Sequence, residues 1–317
     1  MKKSHKIEPT YRSLLQKAVR RGYANLVITL GTRIGLSGAS EKRWFRRQVT
    51  IMAFRACWPL APKMNLTRHF YSKVAAMVNV ARSTKNQDAA GLGAMAHTLY
   101  RGDVSVLDDS AADRALRIVC SGINRPDDFW AWFDGQKGFE QQSIIWPRGK
   151  GDILFDRAII QAAAYLAVTA DSPNLSQADA EDDRFPYWVV FDHHTPEGRQ
   201  ALAEISRDLH LSMSQLRWIL FYFEGARTQR RVASVWWDRY CRWQFKKVGI
   251  VPEQAHLIWQ TAQPQLMAAL AEDAHCLHRE IYRWKKAHLD QINQLKAEVA
   301  QSFSSSQRSA GRQKPLF

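Results

Sequence analysis

The stretch YRSLLQKAVRRGYANLVITLGTRIGLSGASEKRWFRRQVTIMAFRACWPLAP, residues 11–62, decides the fold class of this protein. Its apolar residues recur every three or four positions, which is the spacing of one buried face of an α-helix. A glycine at the end of the first apolar stripe and Pro59 after the last interrupt this spacing. We therefore predict three helices here, ending near Gly22, Ile34 and Trp58.

The same spacing continues along most of the chain. It predicts further helices at about 66–82, 87–100, 110–120, 152–170, 197–209, 212–224 and 228–247, and one long helix from about 265 to 302. Only the apolar run YWVVF at 187–191 is typical of a strand. The predicted fold is therefore all-α, with many helices and one short strand-like segment.

An acidic, proline-flanked stretch, DSPNLSQADAEDDRFP at 171–186, marks the expected domain boundary. It separates a basic helical domain, residues 1–170, from a second helical domain, residues 187–302. The remaining residues, 303–317, are rich in serine and basic residues and have no apolar pattern before the last two positions. We predict that they form a disordered tail.

Positive charge is concentrated at the amino-terminal end of the sequence. The 317 residues contain 45 Lys and Arg against 30 Asp and Glu, which gives a formal net charge of +15. Residues 1–60 hold thirteen Lys and Arg against Glu8 and Glu41, so they carry +11 of that total. Such a concentration of one sign is typical of proteins that bind nucleic acid or an anionic membrane surface.

Cysteine spacing and hydropathy predict the compartment. The four cysteines are far apart and include no C-x-x-C pair, which is typical of reduced thiols in a cytoplasm. No apolar run reaches 18 residues, and the amino-terminal sequence lacks the apolar core of a secretory signal. We predict a soluble cytoplasmic protein that does not associate with membranes.

Two arginine groups in the first 60 residues are candidate nucleic-acid contacts. Arg43, Arg46 and Arg47 are spaced so that one helix face presents all three. Arg20 and Arg21 end the first predicted helix, where cations also complement the helix dipole. Arginine predominates over lysine, and its planar fork suits bidentate phosphate recognition better than a membrane surface. The expected partner is therefore DNA, with RNA as an alternative.

A second basic and aromatic cluster lies in RTQRRVASVWWDRYCRWQFKK, residues 227–247. Its candidate nucleic-acid contacts are Arg230, Arg231, Arg239, Arg242, Trp236 and Trp243. Arginines between flat rings suit single strands or junctions, through stacking and neutralisation of the backbone. A helix whose aromatic side lies in the protein core explains the pattern equally well.

Familiar catalytic motifs are missing from the sequence, including the P-loop, the G-x-S-x-G elbow and H-E-x-x-H. Asp192, His193 and His194 follow the apolar run YWVVF and resemble the signature of the DHH phosphoesterases, which hold Mn²⁺ at such a position. That family also needs an upstream D-x-D motif, which this sequence lacks. Thr195 and Pro196 instead indicate the N-cap and first residue of a helix. We predict no catalytic residue, metal or cofactor, with a DHH-like nuclease as the alternative.

Residues 11–62 also carry a family resemblance. Their order of helix, turn and basic helix is similar to the region after the motor in replication-associated recombination ATPases of the RarA/MgsA type, in the clamp-loader clade of AAA+ proteins. DRAIIQAAAYLAVTADSPN at 156–174 resembles another helix and turn of that family. The family's motor is absent here, and Phe54, Arg55 and Ala56 or their neighbours stand where the family has acidic residues. The resemblance implies a clamp-loader-collar-like fold without ATP chemistry, redirected towards DNA.

The sequence ends QKPLF, and Gln313, Leu316 and Phe317 are similar to the Q-x-x-L-F peptides that dock on bacterial sliding clamps. Leu and Phe would fill an apolar pocket while Gln hydrogen-bonds at its rim. Together these patterns predict a non-enzymatic DNA-binding accessory protein of replication, repair, recombination or defence against foreign DNA. Its expected partners are DNA, the sliding clamp and a partner ATPase or larger complex. A scaffold subunit of a larger nucleoprotein complex is a further alternative.

Overall fold

The fold was derived from a computed structural model that describes residues 9–64, 69–136, 146–148, 153–171, 173–177 and 184–310. Within these ranges the chain forms fourteen α-helices and no β-sheet, so the predicted all-α fold is confirmed. None of the helices in these ranges combines the length and apolar character that crossing a bilayer demands.

Eight of the helices precede the predicted domain boundary. They are α1 (Pro9–Arg21), α2 (Ala24–Leu36), α3 (Ala39–Cys57), α4 (Phe70–Arg82), α5 (Asp88–Tyr100), α6 (Asp113–Asn124), α7 (Pro126–Asp134) and α8 (Leu154–Thr169). Six follow it: α9 (Pro196–Asp208), α10 (Met213–Leu220), α11 (Val235–Lys247), α12 (Pro252–Ala269), α13 (Ala271–Ala287) and α14 (Leu289–Ala310). A π-helical turn, Phe221–Gly225, extends α10.

Helix α5 packs closely against three other helices because its buried residues are small. It packs against α6, α8 and α11, and its buried residues include four alanines and two glycines. A Cβ atom on Gly91 would collide with the backbone of Trp236 and Trp237 in α11. A Cβ atom on Gly93 would lie 2.7 Å from Cα of Ile159 in α8. Both neighbouring helices therefore approach α5 at backbone distance.

Contacts cross the predicted boundary at 171–186 in several places. Helix α11 packs on α5, and α14 packs on α2 and α4 through Ile292, Leu295 and Val299. Helix α1 contacts residues 187–190. The buried apolar side chains on both sides of the boundary belong to one continuous core. The two predicted domains thus share their hydrophobic interior.

The predicted strand at 187–191 was wrong, since Tyr187–Val190 is a short 3-10 helix. Its run of apolar residues buries Trp188, Val189 and Val190, and the segment packs against α1 and α13. An apolar run buried on several sides has no alternation of apolar and polar residues, so periodicity alone does not distinguish a strand from a tight helical turn.

Other departures concern helix ends. The predicted helix from about 265 to 302 is divided at Leu270 and His288 into the ends of α12, all of α13 and most of α14. Helix α14 continues to Ala310, so residues 303–310 of the predicted disordered tail are helical. The docking residues Gln313, Leu316 and Phe317 lie outside the described residues.

We expect Gly91→Ala to lower the free energy of unfolding by about 2–3 kcal/mol, since the added methyl group meets rigid backbone. Thermal unfolding followed by circular dichroism would measure the effect. Gly135→Ala is the matched control, because the nearest atoms to its Cβ are at 3.5 Å, an ordinary contact distance. Equal melting temperatures for the two variants would contradict the close approach of α5 and α11.

Candidate nucleic-acid interface

The polar side of α1 is covered in part by other elements of the protein. Lys17 is buried, and its Nζ donates to the Val189 carbonyl oxygen at 2.5 Å and to Asp192 Oδ2 at 2.8 Å. Burial lowers the pKa of Lys17, although Asp192 opposes that effect. Burial by itself would raise the pKa of Asp192, but the Lys17 ammonium and the His194 backbone N–H hold it well below its usual range. This pair joins α1 to the segment that precedes α9.

Arg21, a predicted nucleic-acid contact, is buried in an ion pair. Its guanidinium donates to the Glu224 carboxylate and, at 3.0 Å, to the Glu224 carbonyl oxygen. Burial lowers the pKa of Arg21 and the Glu224 carboxylate raises it. The side chain ties α1 to the end of α10, and its charge is not presented to solvent.

Arg20 differs from its neighbour because it forms no ion pair with a carboxylate in the part of the chain that the structure describes, although the nearby charge of Asp192 raises its pKa. Its Nη1 donates to the Gly225 carbonyl oxygen at 2.6 Å. Burial, together with the nearby charge of Arg55, lowers the pKa of Arg20 to about 10. Arg55 itself is paired with Asp156 at 2.7 Å. Two guanidinium groups therefore lie near each other, and only one has a carboxylate.

These residues line a cleft of about 380 Å³ formed by α1, α3, residues 189–194 and α10 with its π turn. The cations that line it are Arg12, Lys17, Arg20, Arg55 and Arg217. Among the described residues, Asp192 is the one carboxylate in the lining. Arg20 and Arg55 also line a smaller pocket of about 90 Å³, which we call the aromatic pocket because Phe155, Trp237 and Tyr240 line it. The cationic cleft thus adjoins a pocket with apolar walls.

Asp192, His193 and His194 border the same cleft. Thr195 is the N-cap of α9 and Pro196 is its first residue, as predicted. Gly198 lets this helix start against the backbone of Asp192, because a Cβ atom there would collide with it. The local turn therefore fixes the carboxylate opposite α1.

The three side chains can bring one ligand atom each within 4.8 Å of one another, which is close enough to hold a metal ion. Asp192 Oδ1, however, lies 2.9 Å from Nδ1 of His194, and Oδ2 accepts from Lys17. A divalent cation would have to displace the Lys17 ammonium and would face the guanidinium of Arg20. The electrostatics of this site favour an anion.

The arginines Arg43, Arg46 and Arg47 form an exposed face of α3, which we call the α3 face. Phe45 is buried on the opposite side of the helix. Trp44 is half-buried, lines the cleft and carries the Arg12 guanidinium 4.9 Å from its ring centroid. The α3 face therefore adjoins the rim of the cleft.

The second predicted cluster is mostly engaged within the protein. Arg239 pairs with Asp113 at 2.5 Å and Asp108 at 2.9 Å, and Arg231 pairs with Asp238. Trp236 and Trp243 are half-buried against the core. Trp243 Nε1 also donates to Ser105 Oγ at 3.1 Å.

Arg230 and Arg242 are exposed. The structure brings neither of them to the cleft. Arg239, together with Trp243 and Lys247, attaches α11 to the loop at 103–113. The charges that the structure gathers at one site are those of α1, α3 and α10.

Four of the cleft cations, Arg12, Lys17, Arg55 and Arg217, were not predicted from the sequence. Ser13, Lys17 and Arg20 are spaced at i, i+4 and i+7, which is a polar stripe on one side of α1. Such a stripe is usually a solvated face, so the sequence does not show that this one is covered. Comparisons with family profiles, curated proteins and solved structures find no match to this chain.

We expect Arg21→Met to cost about 3–5 kcal/mol of folding stability, because it leaves the buried Glu224 carboxylate without its main partner. The double variant Arg21→Met, Glu224→Leu removes both charges and should recover most of the loss. Chemical unfolding of the three proteins measures this. Arg43→Met is the control for an exposed arginine and should change stability little. A single variant as stable as the wild type would show that the pair is unimportant.

Burial, followed by the charges of His194 and Arg217, lowers the pKa of His193 from 6.5 to about 4. Between those values the unfolded chain binds the proton more tightly than the folded one, so His193 makes stability decrease as the pH falls from about 6.5 to about 4. We expect His193→Gln to reduce this loss, measured as the difference in melting temperature between pH 7 and pH 4.5. An unchanged difference would contradict the burial of the imidazole.

Proposed function

We propose that this protein is a non-enzymatic DNA-binding protein and that the α3 face contacts the phosphate backbone. The observation that carries the proposal is the presence of three exposed guanidinium groups on one helix face, within a segment of charge +11. Phosphate contacts of this kind supply most of the sequence-independent affinity for DNA. Arginine binds phosphate in a bidentate manner, which suits this composition.

The α3 face keeps its charge because the acidic residue of the same helix points elsewhere. Glu41 is buried and pairs with Arg12 at 3.4 Å. Helix α3 contains no other acidic residue. Arg43 and Arg47 are about 6 Å apart along the helix axis, so they can reach separate phosphates. The face therefore offers several exposed arginines, with no acidic residue of α3 beside them, to a strand.

The biological setting follows from two sequence resemblances. The likeness of residues 11–62 to the collar region of recombination ATPases favours a role as an accessory factor in replication, repair or recombination. The QKPLF ending supports docking on a sliding clamp through Gln313, Leu316 and Phe317. A tethered clamp contact would raise the local concentration of the protein on DNA without any new DNA contact.

The second candidate function is a DHH-like metal-dependent phosphoesterase. It is favoured by the proximity of ligand atoms from Asp192, His193 and His194. The Lys17 ammonium argues against a metal site, because it already pairs with the Asp192 carboxylate. DNA cleavage in the presence of Mn²⁺ that disappears in Asp192→Ala would favour the phosphoesterase over the DNA-binding protein.

We expect the triple variant Arg43→Gln, Arg46→Gln, Arg47→Gln to bind duplex DNA about tenfold or more weakly near 0.1 M salt. The slope of log K against log salt should decrease by about 3, one for each lost phosphate contact. Fluorescence anisotropy over a series of salt concentrations measures both quantities.

The matched control for this experiment neutralises Arg279, Arg283 and Lys286, three exposed cations on one side of α13. It removes the same net charge from a different surface, so a general effect of net charge would weaken both proteins equally. Equal losses in the two triple variants, or no loss in either, would refute the α3 face as the binding surface.

A further inference from the structure

We propose that the cleft beside the α3 face binds the terminal phosphate monoester of a nucleic-acid strand, with Arg20 and Arg217 as its principal contacts. This inference rests on the proposed function, since the strand would be held by the α3 face. It adds a specificity that backbone binding alone does not supply, namely a preference for phosphorylated strand ends.

The balance of charge in the cleft leaves two cations without a carboxylate. Lys17 is paired with Asp192, Arg55 with Asp156, and Arg12 with Glu41. Arg20 and Arg217 line the cleft, and neither forms an ion pair with a carboxylate of the described residues. A phosphate monoester carries about −1.5 to −2 charges at neutral pH, whereas an internal phosphodiester carries one. The two unpaired guanidinium groups therefore match a monoester in charge.

The shape of the cleft also favours a strand end. Arg20 is half-buried and lines a concave site of about 380 Å³. An internal phosphate of a duplex is flanked by nucleotides on both sides, which hinders its entry into a recess. A terminal phosphate has three unesterified oxygens and one neighbour, so it can enter and accept several hydrogen bonds at once.

The surroundings of Arg20 strengthen its attraction for an anion. Arg20 also lines the aromatic pocket, so the apolar rings of Phe155 and Trp237 are among its neighbours. Arg55 lies near enough to repel it. An anion bound beside Arg20 would relieve this repulsion from Arg55. Because the site is partly removed from water, charge–charge interactions there are stronger than in bulk solvent.

The position of the cleft connects it to the α3 face. Trp44 lines the cleft, and its neighbour Arg43 belongs to the exposed face. A strand whose backbone lies along Arg43, Arg46 and Arg47 can therefore end in the cleft.

The test compares oligonucleotides of one sequence that carry a 5′-phosphate, a 3′-phosphate or only hydroxyl ends. Fluorescence anisotropy near 0.1 M salt gives their affinities for three proteins. These are the wild type, the cleft variant Arg20→Gln, Arg217→Gln, and the matched control Arg43→Gln, Arg46→Gln, which loses the same charge from the α3 face. Arg20 and Arg217 have no carboxylate partner, so their replacement leaves no buried acid unpaired, and thermal unfolding verifies that the variants fold.

We expect the wild type to bind one of the phosphorylated strands about tenfold more tightly than the hydroxyl strand, as for a small number of charge-assisted hydrogen bonds. The cleft variant should lose this preference and keep its affinity for the hydroxyl strand. The control should bind all strands more weakly and keep the preference. Inorganic phosphate should compete with the phosphorylated end and remove the preference in the wild type.

Three results would overturn the inference. Equal affinity of the wild type for all strands, with binding still dependent on the α3 face, would refute the cleft site and leave the proposed function intact. A preference that persists in the cleft variant would place phosphate recognition elsewhere. Competition by a free mononucleotide as effective as that of the phosphorylated strand would indicate a small-nucleotide site. If the wild type bound none of the strands, the proposed function itself would be refuted.

Discussion

Compensation of the positive charge buried on α1 is the constraint on which the rest of the structure depends. Within five residues this helix places Lys17, Arg20 and Arg21 against other elements instead of water. Charged groups without partners are costly in such surroundings. Asp192 and Glu224 compensate two of them, and both come from the carboxy-terminal half of the chain. That half must therefore pack on α1, which explains why one core extends across the acidic stretch at 171–186.

The same pairing of buried charges also affects how charge is distributed on the surface. Several carboxylates are buried in ion pairs. Glu41 pairs with Arg12, Asp156 with Arg55, and Asp113 with Arg239. Their engagement leaves the α3 face without acidic neighbours on its own helix. The net charge of +15 does not show where on the surface the excess positive charge lies. Pairing inside the fold instead determines which arginines are presented to a ligand.

Arg20 belongs both to the packing of α1 and to the proposed anion site. Its neighbours on α1 have acidic partners, and it has a single carbonyl oxygen from the π turn after α10. The environment that disfavours a divalent cation near Asp192 is the one that favours an anion near Arg20. The α3 face is the basis of the proposed function, and the cleft beside it, which Trp44 lines, is the proposed site of a terminal phosphate.

The sequence by itself determined the helical class, the ends of several helices and the location of most of the positive charge. The Thr195–Pro196 start of α9 was predictable because capping is a local interaction. The sequence also singled out Arg43, Arg46 and Arg47 as one face, since helical geometry fixes that relation. Only the tertiary structure decided that Arg21 and Arg239 are occupied by carboxylates 203 and 126 residues away in sequence. It also decided that the polar stripe of α1 lines a cleft. Periodicity shows which residues share a helix face, but the elements that cover that face come from distant parts of the chain.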